Sequence, residues 1–391
     1  LIYIKIRYLK KIKLLFILGT FFPAQAGGPD SSIYWLNKAF LNLKHKCECL
    51  VLSFFYNLNQ RDIKKYKIVP NKICKINGVK VIFLKFTIFR ILSLSFYKFL
   101  FFNLKKYDIV HLNSFFFPIT LISAFFLNFF NMKYCISLRG ELEEHAFKNN
   151  FFKKKLFLNI FKHIYKKAIF FHYTTSNEKV KSEKILGKEF NYEIFPNYIT
   201  KETSKMEKNK KRDRYLYLGR IHPKKNIETI ISAYKKFIEK SKSSKKLYLV
   251  GTGQEIYISK LKNYVDKLDI NKKIIFTGKK DYISKFDILN RSKFLIFFSK
   301  TENFGNVILE SLVCKTPVIV GNNLPWTDIK KFKVGYFIKN NVNTLAKFLI
   351  KAENLSSKDY IKIQKNCKIL ISQFYIEKKI KYIFKIYNKY I

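Results

Sequence analysis

The sequence predicts an α/β protein built from two doubly wound domains that face a cleft. Short apolar runs alternate with longer amphipathic stretches along nearly the whole chain, which is typical of parallel sheets covered by helices. The length of 391 residues favours two domains over one, and a hydrophobic share of 48% is enough for two cores. The polar segment 200–214 divides the apolar runs into two sets.

The first predicted strand is residues 13–18. It leads into a loop that contains Gly27 and Gly28, and then into a helix from Ser31 or Ser32. Glycines after a first parallel strand let the backbone approach a ligand, and a helix N-terminus favours phosphate. A signal peptide is the alternative, because lysines, the apolar run 14–22 and Ala24-Gln25-Ala26 resemble one. We prefer the strand, because the pattern that follows requires it.

The remaining strands share an apolar run bounded by turn or polar residues. They are predicted at 49–54, 109–112, 133–137, 215–218, 247–250, 273–277, 294–298 and 317–320. The predicted domains are therefore two Rossmann-like halves, 1–200 and 201–372, with 200–214 as the linker. Residues 373–391 have apolar side chains at helical spacing, which predicts a final amphipathic helix packed on one half.

Two apolar segments lie in the first half. Residues 115–130 carry no charge but are shorter than the roughly 20 residues of a spanning helix, so we expect a buried helix behind the first sheet. Residues 81–102 are interrupted by Lys85, Arg90 and Lys98. A packed helix or strand is expected there, and partial contact with a membrane surface is the alternative.

The charge is strongly basic, with Lys+Arg at 76, Asp+Glu at 27 and a net charge of +49. Such a field attracts phosphates, anionic lipid or nucleic acid. The excess is mostly lysine and accompanies many Ile, Asn, Phe and Tyr residues, whose codons are rich in A and T, so base composition accounts for much of it. No recognition motif is present, so no nucleic-acid partner is expected. Attraction to an anionic membrane surface stays open.

Cysteine usage indicates a reducing compartment and no metal site. The six cysteines show neither a disulfide framework nor repeated metal-ligand spacing. His45, Cys47 and Cys49 are close in sequence, but no second pair of ligands lies at finger-like spacing. We therefore expect a structural role for them.

The strand 215–218 ends in Gly219 and Arg220, and Lys225 precedes a helix predicted at 226–240. Both cations would stand beside a helix N-terminus at the carboxyl end of a parallel strand, where α/β sheets bind ligands. Charge-assisted hydrogen bonds would hold a diphosphate and neutralise it as it leaves. Because the sequence has no Asp-x-Asp pair, these cations would replace a metal ion. Solvated surface is the alternative in so lysine-rich a chain.

The next strand leads into Gly251 and Gly253. A Gly-x-Gly pattern by itself is weak evidence for a ligand site and usually marks a turn.

A second candidate segment contains Glu302 in a loop and Glu310 in the helix that follows. The spacing brings both carboxylates towards one pocket. Carboxylates accept hydrogen bonds from vicinal hydroxyls, which suits Glu310 to a ribose and Glu302 to a hexose. Gly305 would let backbone N–H groups reach the ligand. The alternative is that Glu310 only favours the helix start and Glu302 is solvated.

These motifs resemble a known family. SKTENFGNVILESLVCKTPVIV resembles the glutamate-x7-glutamate segment of glycosyltransferase family 4, the glycosyl transferases group 1, which are retaining enzymes of GT-B fold. YLGRIHPKKN resembles their phosphate-binding segment. Further matches are Ala26-Gly27-Gly28, DIVHLNSFFFP with His111, SLRGELEEHAF from Ser137, FPNYI with Asn197, and LPWTD with Trp326.

The resemblance implies a role for each candidate. Arg220 and Lys225 would bind the donor diphosphate, and Glu310 would bind its ribose. Glu302 would bind the transferred sugar, together with Phe304 and Gly305. Gly27, Gly28, Gly219, Gly251, Gly253 and Asn303 complete the donor-binding set.

Two positions depart from the family pattern. Many members have a histidine before a glycine at the end of the strand that matches 133–137, whereas this sequence has Arg139-Gly140. A subgroup with Ser-Pro-Arg-Gly is similar, so Arg139 joins the catalytic candidates with its role open. The family's usual glycine after the helix is Lys315 here, and a left-handed conformation there costs on the order of 1 kcal/mol.

The expected function is a metal-independent, retaining glycosyltransferase without a cofactor. Residues 1–200 would face the acceptor and 201–372 would bind a UDP- or GDP-sugar. The acceptor would be a saccharide or lipid-linked, in cell-surface polysaccharide or lipopolysaccharide biosynthesis. The expected location is cytoplasmic, and peripheral attachment to the inner face of the cell membrane stays open. The alternatives are a nucleotide-sugar epimerase or sugar phosphorylase of the same fold, or a noncatalytic basic protein that binds anions, lipid or nucleic acid.

Overall fold

The computed structural model describes residues 11–24, 27–85, 93–142, 156–158, 162–241 and 243–391. Lys10, Gln25, Ala26, Arg90 and the end of SLRGELEEHAF lie outside the described residues. The chain forms two compact units. Unit 1 contains Leu1–Pro196 and Ile376–Ile391, and unit 2 contains Asn197–Tyr375.

Unit 1 is built on an eight-stranded sheet of order β3-β4-β2-β1-β5-β6-β7-β8, in which only β3 is antiparallel. Its strands are β1 (Ile12–Ile17), β2 (Cys47–Phe54), β3 (Ile73–Ile76), β4 (Val79–Leu84), β5 (Ile109–Asn113), β6 (Tyr134–Ser137), β7 (Phe170–Tyr173) and β8 (Tyr192–Ile194). Its described helices are α1 (Gly28–Phe40), α2 (Gln60–Lys65), α3 (Leu94–Asn103), α4 (Pro118–Phe129), α5 (Ser176–Leu186) and, at the end of the chain, α13 (Ile380–Lys389).

Unit 2 is built on a six-stranded parallel sheet of order β11-β10-β9-β12-β13-β14. Its strands are β9 (Arg214–Leu218), β10 (Lys246–Val250), β11 (Ile274–Gly278), β12 (Ser292–Phe297), β13 (Val318–Gly321) and β14 (Gly335–Ile338). Its helices among the described residues are α6 (Ile227–Ser241), α7 (Glu255–Lys267), α8 (Tyr282–Asn290), α9 (Asn306–Val313), α10 (Asp328–Phe332), α11 (Val342–Glu353) and α12 (Ser357–Ile371). The predicted α/β class with two doubly wound sheets is confirmed.

The first apolar run forms β1, which lies in the middle of its sheet between β2 and β5. Leu14, Leu15 and Phe16 are buried, as expected for a strand covered on both faces. Cleavage after Ala26 would remove this central strand. The helix after the loop begins at Gly28, ahead of the predicted Ser31 or Ser32.

The predicted linker, residues 200–214, lies within unit 2. It begins with a short 3-10 helix at Lys201–Met206 and continues into β9. The guanidinium of Arg212 donates to the Ser292 carbonyl at 2.7 Å and to the Cys314 carbonyl at 2.8 Å. Charge alone did not reveal these partners, because they lie far along the chain.

The uncharged segment 115–130 forms α4, which is not fully buried. Ile119, Ala124 and Leu127 join the core of unit 1, whereas Phe125 and Phe129 are exposed. The helix is therefore amphipathic in burial although its sequence carries no charge. None of the described helices is both long and apolar enough to span a membrane.

Candidate functional site

The first candidate segment lies where β9 ends. Gly219 has φ +154, a conformation that favours glycine, and it is followed by exposed Arg220. The buried Tyr217 hydroxyl donates to the Arg220 carbonyl at 2.7 Å, which fixes the backbone of this turn. The Arg220 guanidinium has no hydrogen-bond or ion-pair partner among the described residues. An arginine at the carboxyl edge of a parallel sheet is thus open to an anionic ligand.

Lys225 lies in a short 3-10 turn, Pro223–Lys225, directly before α6. Its ammonium group forms an ion pair with Glu302, and both side chains are largely buried. The predicted helix start at 226 is off by one residue, because Asn226 adopts the left-handed conformation with φ +56. The fold therefore joins the two candidate segments directly, through a cation of the first and a carboxylate of the second.

Glu310 lies on α9 and is buried, with 4% of its surface exposed. Its Oε1 accepts from the ammonium group of Lys285 at 2.7 Å. Lys285 is on α8 and is itself buried, above the rings of Tyr282 and Phe286. Sequence reasoning missed Lys285, since a lysine in a helix of so basic a chain carries no local signal.

The loop before α9 is held by aromatic packing and one glycine. Gly305 has φ +88, and a Cβ there would lie 2.9 Å from the Phe297 ring, so both conformation and space require glycine. The Phe304 ring packs at 5.1 Å from Trp326, whose indole N–H donates to the Phe304 carbonyl. Phe304 thus anchors the loop through its side chain.

Asn303 has a buried side-chain oxygen without a hydrogen-bond partner among the described residues. A buried polar atom of this kind costs free energy unless a ligand or water satisfies it. It stands next to Glu302 in the candidate segment. This oxygen is suited to accept a hydrogen bond from a hydroxyl group of a ligand.

The structure gives Gly251 and Gly253 a packing role. A Cβ on Gly251 would lie 1.8 Å from the Gly219 carbonyl oxygen, and one on Gly253 would lie 1.8 Å from that of Ile221. The Ile221 amide donates to the Thr252 carbonyl at 2.8 Å. These glycines therefore let the two loops that follow β9 and β10 run side by side.

Two asparagines that sequence reasoning did not single out hold the loop after β12, and a third bonds to one of them. Asn340 donates to the Ser299 carbonyl at 3.2 Å, and Asn323 donates to the Lys300 carbonyl at 2.6 Å. Asn226 donates to the Asn340 side chain at 3.1 Å. Asn323 and Asn340 follow β13 and β14, and that position at the carboxyl ends of strands is the signal that would have indicated them.

The other predicted site residues lie together in unit 1. Gly27 and Gly28 precede and begin α1, and Arg139 follows β6 with φ +55. The Arg139 guanidinium donates to the Asn113 side chain at 2.9 Å and to the Ser32 hydroxyl at 3.4 Å. Burial lowers the pKa of Arg139 to about 10. Arg139 thus connects the end of β5 to the first turns of α1.

A chain of buried hydrogen bonds lies beside Arg139. His172 Nε2 contacts the Phe195 carbonyl at 2.9 Å, so Nε2 carries the proton and Nδ1 accepts from the Ser137 hydroxyl at 2.6 Å. Ser137 Oγ then accepts from His111 Nε2 at 2.6 Å, and His111 Nδ1 accepts from the Tyr387 hydroxyl at 2.6 Å. Burial lowers the pKa of both histidines, so both are neutral. Because Tyr387 lies on α13, this chain of hydrogen bonds attaches α13 to the sheet.

Three further sequence predictions concern Lys315, Asn197 and the cysteines. Lys315 has φ +50, so the left-handed conformation expected from the missing glycine is present. Asn197 donates to the Asn306 side chain at 2.9 Å. The cysteines among the described residues are free, and no cluster of three or more His, Cys, Asp or Glu side chains that could hold a metal occurs in the described part of the chain.

Comparison with known proteins finds a family match over the part of the chain that contains Arg220, Lys225, Glu302 and Glu310. Residues 199–369 match the family model described as "Glycosyl transferases group 1". The chain is 24% identical over 148 residues to N-acetyl-alpha-D-glucosaminyl L-malate synthase of Bacillus anthracis, and the match covers 37% of each protein. It is 34% identical over 108 residues to alpha-monoglucosyldiacylglycerol synthase of Streptococcus pneumoniae, covering 28% of this chain and 24% of the relative. The chain thus aligns with well under half of these relatives' length. The match to the family model confirms the predicted family resemblance.

A solved structure extends the similarity of fold to nearly the whole chain. Anabaena HepE in complex with UDP and glucose superposes with a TM-score of 0.73 at 14% identity, covering 97% of this chain and 100% of that one. At this identity the similarity concerns the fold, and the predicted GT-B fold is confirmed.

Proposed function

We propose that this chain, whose residues 199–369 form a domain of the glycosyl transferases group 1, moves a sugar from a nucleotide-sugar donor to an acceptor hydroxyl. The observation that carries the proposal is the set of groups in unit 2: exposed Arg220, the Lys225–Glu302 ion pair and the buried Lys285–Glu310 pair. The family description and the two relatives, named as synthases of a glucosaminyl malate and a glucosyl diacylglycerol, support a transferase. The UDP and glucose named with HepE support a nucleotide-sugar donor.

Each group has a part in the proposed reaction. Arg220 and Lys225 bind the diphosphate of a UDP- or GDP-sugar and stabilise the charge that develops as the sugar–phosphate bond breaks. Glu310 accepts hydrogen bonds from the ribose hydroxyls. Glu302 and Asn303 contact the transferred sugar. No metal and no cofactor has a part in this scheme.

The reaction is proposed to retain the configuration of the sugar. The sugar–phosphate bond breaks with its electron pair leaving on the diphosphate. The acceptor oxygen forms the new bond on the same face, and its proton passes to the leaving phosphate. The protein then supplies no nucleophile, and its electrostatic contribution falls on the leaving group.

The acceptor is proposed to be a saccharide or lipid-linked and to belong to the synthesis of a cell-surface polysaccharide or lipopolysaccharide. One relative is named for a glucosyl diacylglycerol product, which supports the lipid-linked form. A lipid-linked acceptor would place the reaction at the inner face of the cell membrane, where this basic chain is attracted by anionic lipid.

The proposal is tested with Arg220→Ala and a panel of nucleotide sugars. The variant is expected to lose about 100-fold or more in turnover with its circular dichroism unchanged, because it removes a charge that acts in the transition state. Arg291→Ala is the matched control, since its guanidinium pairs with Asp287 on the surface of α8. Unimpaired turnover in Arg220→Ala would refute the assignment. Donor isomerised without transfer would instead show an epimerase.

A further inference from the structure

The outer face of α3 and α4 in unit 1 exposes large apolar side chains. The exposed fractions are 69% for Leu94, 56% for Phe101, 68% for Phe102, 59% for Phe125 and 73% for Phe129. We call these five side chains the Phe face. Exposed apolar side chains that cluster in this way indicate an interaction surface.

The two helices form one surface. The Tyr97 and Phe126 rings are 6.4 Å apart and the Phe101 and Phe130 rings are 5.8 Å apart, so α3 and α4 pack side by side. Phe125 and Phe129 are four residues apart on α4 and share one side of that helix. The same helices bury Phe96, Leu100, Ala124 and Leu127 in the core. The outward position of the Phe face is therefore fixed by the fold.

The charged side chains in the two segments that carry the Phe face are all of one sign. Lys98, Lys105 and Lys106 are exposed, and the Lys105 ammonium lies 5.2 Å from the centre of the Phe130 ring. Neither residues 93–107 nor residues 114–133 contain an Asp or Glu. Aromatic side chains framed by lysines match the boundary between acyl chains and anionic headgroups.

We propose that the Phe face docks this chain on an anionic lipid surface. The phenylalanines enter the headgroup boundary, and the lysines contact lipid phosphates. A second copy of the chain is the less favourable occupant, because a symmetric contact would bring the same lysines together. Helices α3 and α4 are too short to span a bilayer, so they lie on it. As a means of reaching a lipid-linked acceptor the proposal rests on the proposed function, whereas lipid binding itself does not.

The first experiment is co-sedimentation of the full chain with vesicles of phosphatidylcholine, with or without roughly one quarter phosphatidylserine, at low salt. Phe125→Ser with Phe129→Ser is expected to weaken binding about tenfold or more, because two exposed rings no longer enter the lipid. The matched control is Ile361→Ser with Ile369→Ser, since both isoleucines are exposed on α12 of unit 2. The control is expected to bind as the unchanged protein does.

The lysines are tested in the same assay. Lys98→Gln with Lys105→Gln is expected to lower binding to anionic vesicles about tenfold at low salt, and less as salt is raised. Lys362→Gln with Lys365→Gln on α12 removes the same charge from another surface and is the control. Equal loss in the two lysine pairs would show attraction by net charge alone and overturn the assignment to this face.

A direct contact readout uses Phe129→Trp. Both native tryptophans, Trp35 and Trp326, are buried, so a blue shift on adding anionic vesicles reports the new side chain. Ile369→Trp is expected to show no shift. The proposal is overturned if the unchanged protein does not bind vesicles. It is also overturned if Phe125→Ser with Phe129→Ser converts a dimer of the chain to a monomer without changing lipid binding. Nucleotide-sugar binding is measured on every variant, and its retention separates this proposal from that of the donor site.

Discussion

Replacing Lys285 by Met tests whether the buried ion pair holds Glu310 ready for the donor. At 2.7 Å and an effective dielectric constant of about 20, the attraction is about 6 kcal/mol before desolvation. Removing two charges from water costs several kcal/mol each, so the intact pair contributes little net stability. Met keeps the apolar stem above Tyr282 and Phe286 but leaves the Glu310 carboxylate buried without its cation. We expect a loss of about 3–5 kcal/mol in the free energy of unfolding of unit 2.

The assay is urea unfolding followed by tryptophan fluorescence in a Trp35→Phe background. Trp35 is buried in unit 1, so the cost of this change falls on unit 1, and Trp326 then reports unit 2. Adding Glu310→Leu to Lys285→Met removes the unpaired charge and is expected to restore stability to within about 1 kcal/mol. Nucleotide-sugar binding should weaken in Lys285→Met and should not recover in the double variant, although its stability does.

Two results would refute this reasoning. A single variant within about 0.5 kcal/mol of its parent would mean that Glu310 is not buried with its charge. A double variant that binds the nucleotide sugar normally would mean that the carboxylate does not hold the ribose.

Three further predictions concern packing and acid stability. Gly251→Ala should leave little folded protein, because its Cβ would lie 1.8 Å from the Gly219 carbonyl oxygen. Gly278 has φ +67 and open space around it, so Gly278→Ala should lose only about 1 kcal/mol of the free energy of unfolding. Equal yields of the two folded variants would contradict this. Burial lowers the pKa of His172 to about 3. The contribution of the neutral imidazole to the stability of unit 1 should therefore be complete above pH 6.5 and should be lost as pH falls towards 3. His172→Asn should reduce this dependence of stability on pH. Burial alone would raise the pKa of Glu353, but hydrogen bonds and lysine charges lower it to about 2. Its contribution to unit 2 should be present above about pH 4.5 and disappear towards pH 2, and Glu353→Gln should remove that dependence in acid unfolding curves.

Local pattern was enough to place the strands that carry the site. The predicted strands 215–218 and 247–250 became β9 and β10 with one residue added to each, because a buried parallel strand is a short apolar run that needs no distant information. The order of strand, glycine, cation and helix likewise placed Arg220 and Lys225 at the carboxyl edge of the sheet.

Prediction failed where the partner of a residue lies far along the chain. Arg212 was assigned to a linker because its neighbours are charged, yet it bonds to carbonyls 80 and 102 residues away. Residues 115–130 gave no polar stripe, so the sequence could not indicate that Phe125 and Phe129 face outward.

The sequence by itself determined the class of fold, the position of the cations after β9 and the segment that carries Glu302 and Glu310. Only the tertiary structure decided that Lys285 pairs with Glu310 and Lys225 with Glu302, across separations of 25 and 77 residues. It also decided that Gly251 serves close packing of two loops. Periodicity reports which face of an element is buried, but the identity of the group across that face depends on how the sheet brings distant segments together.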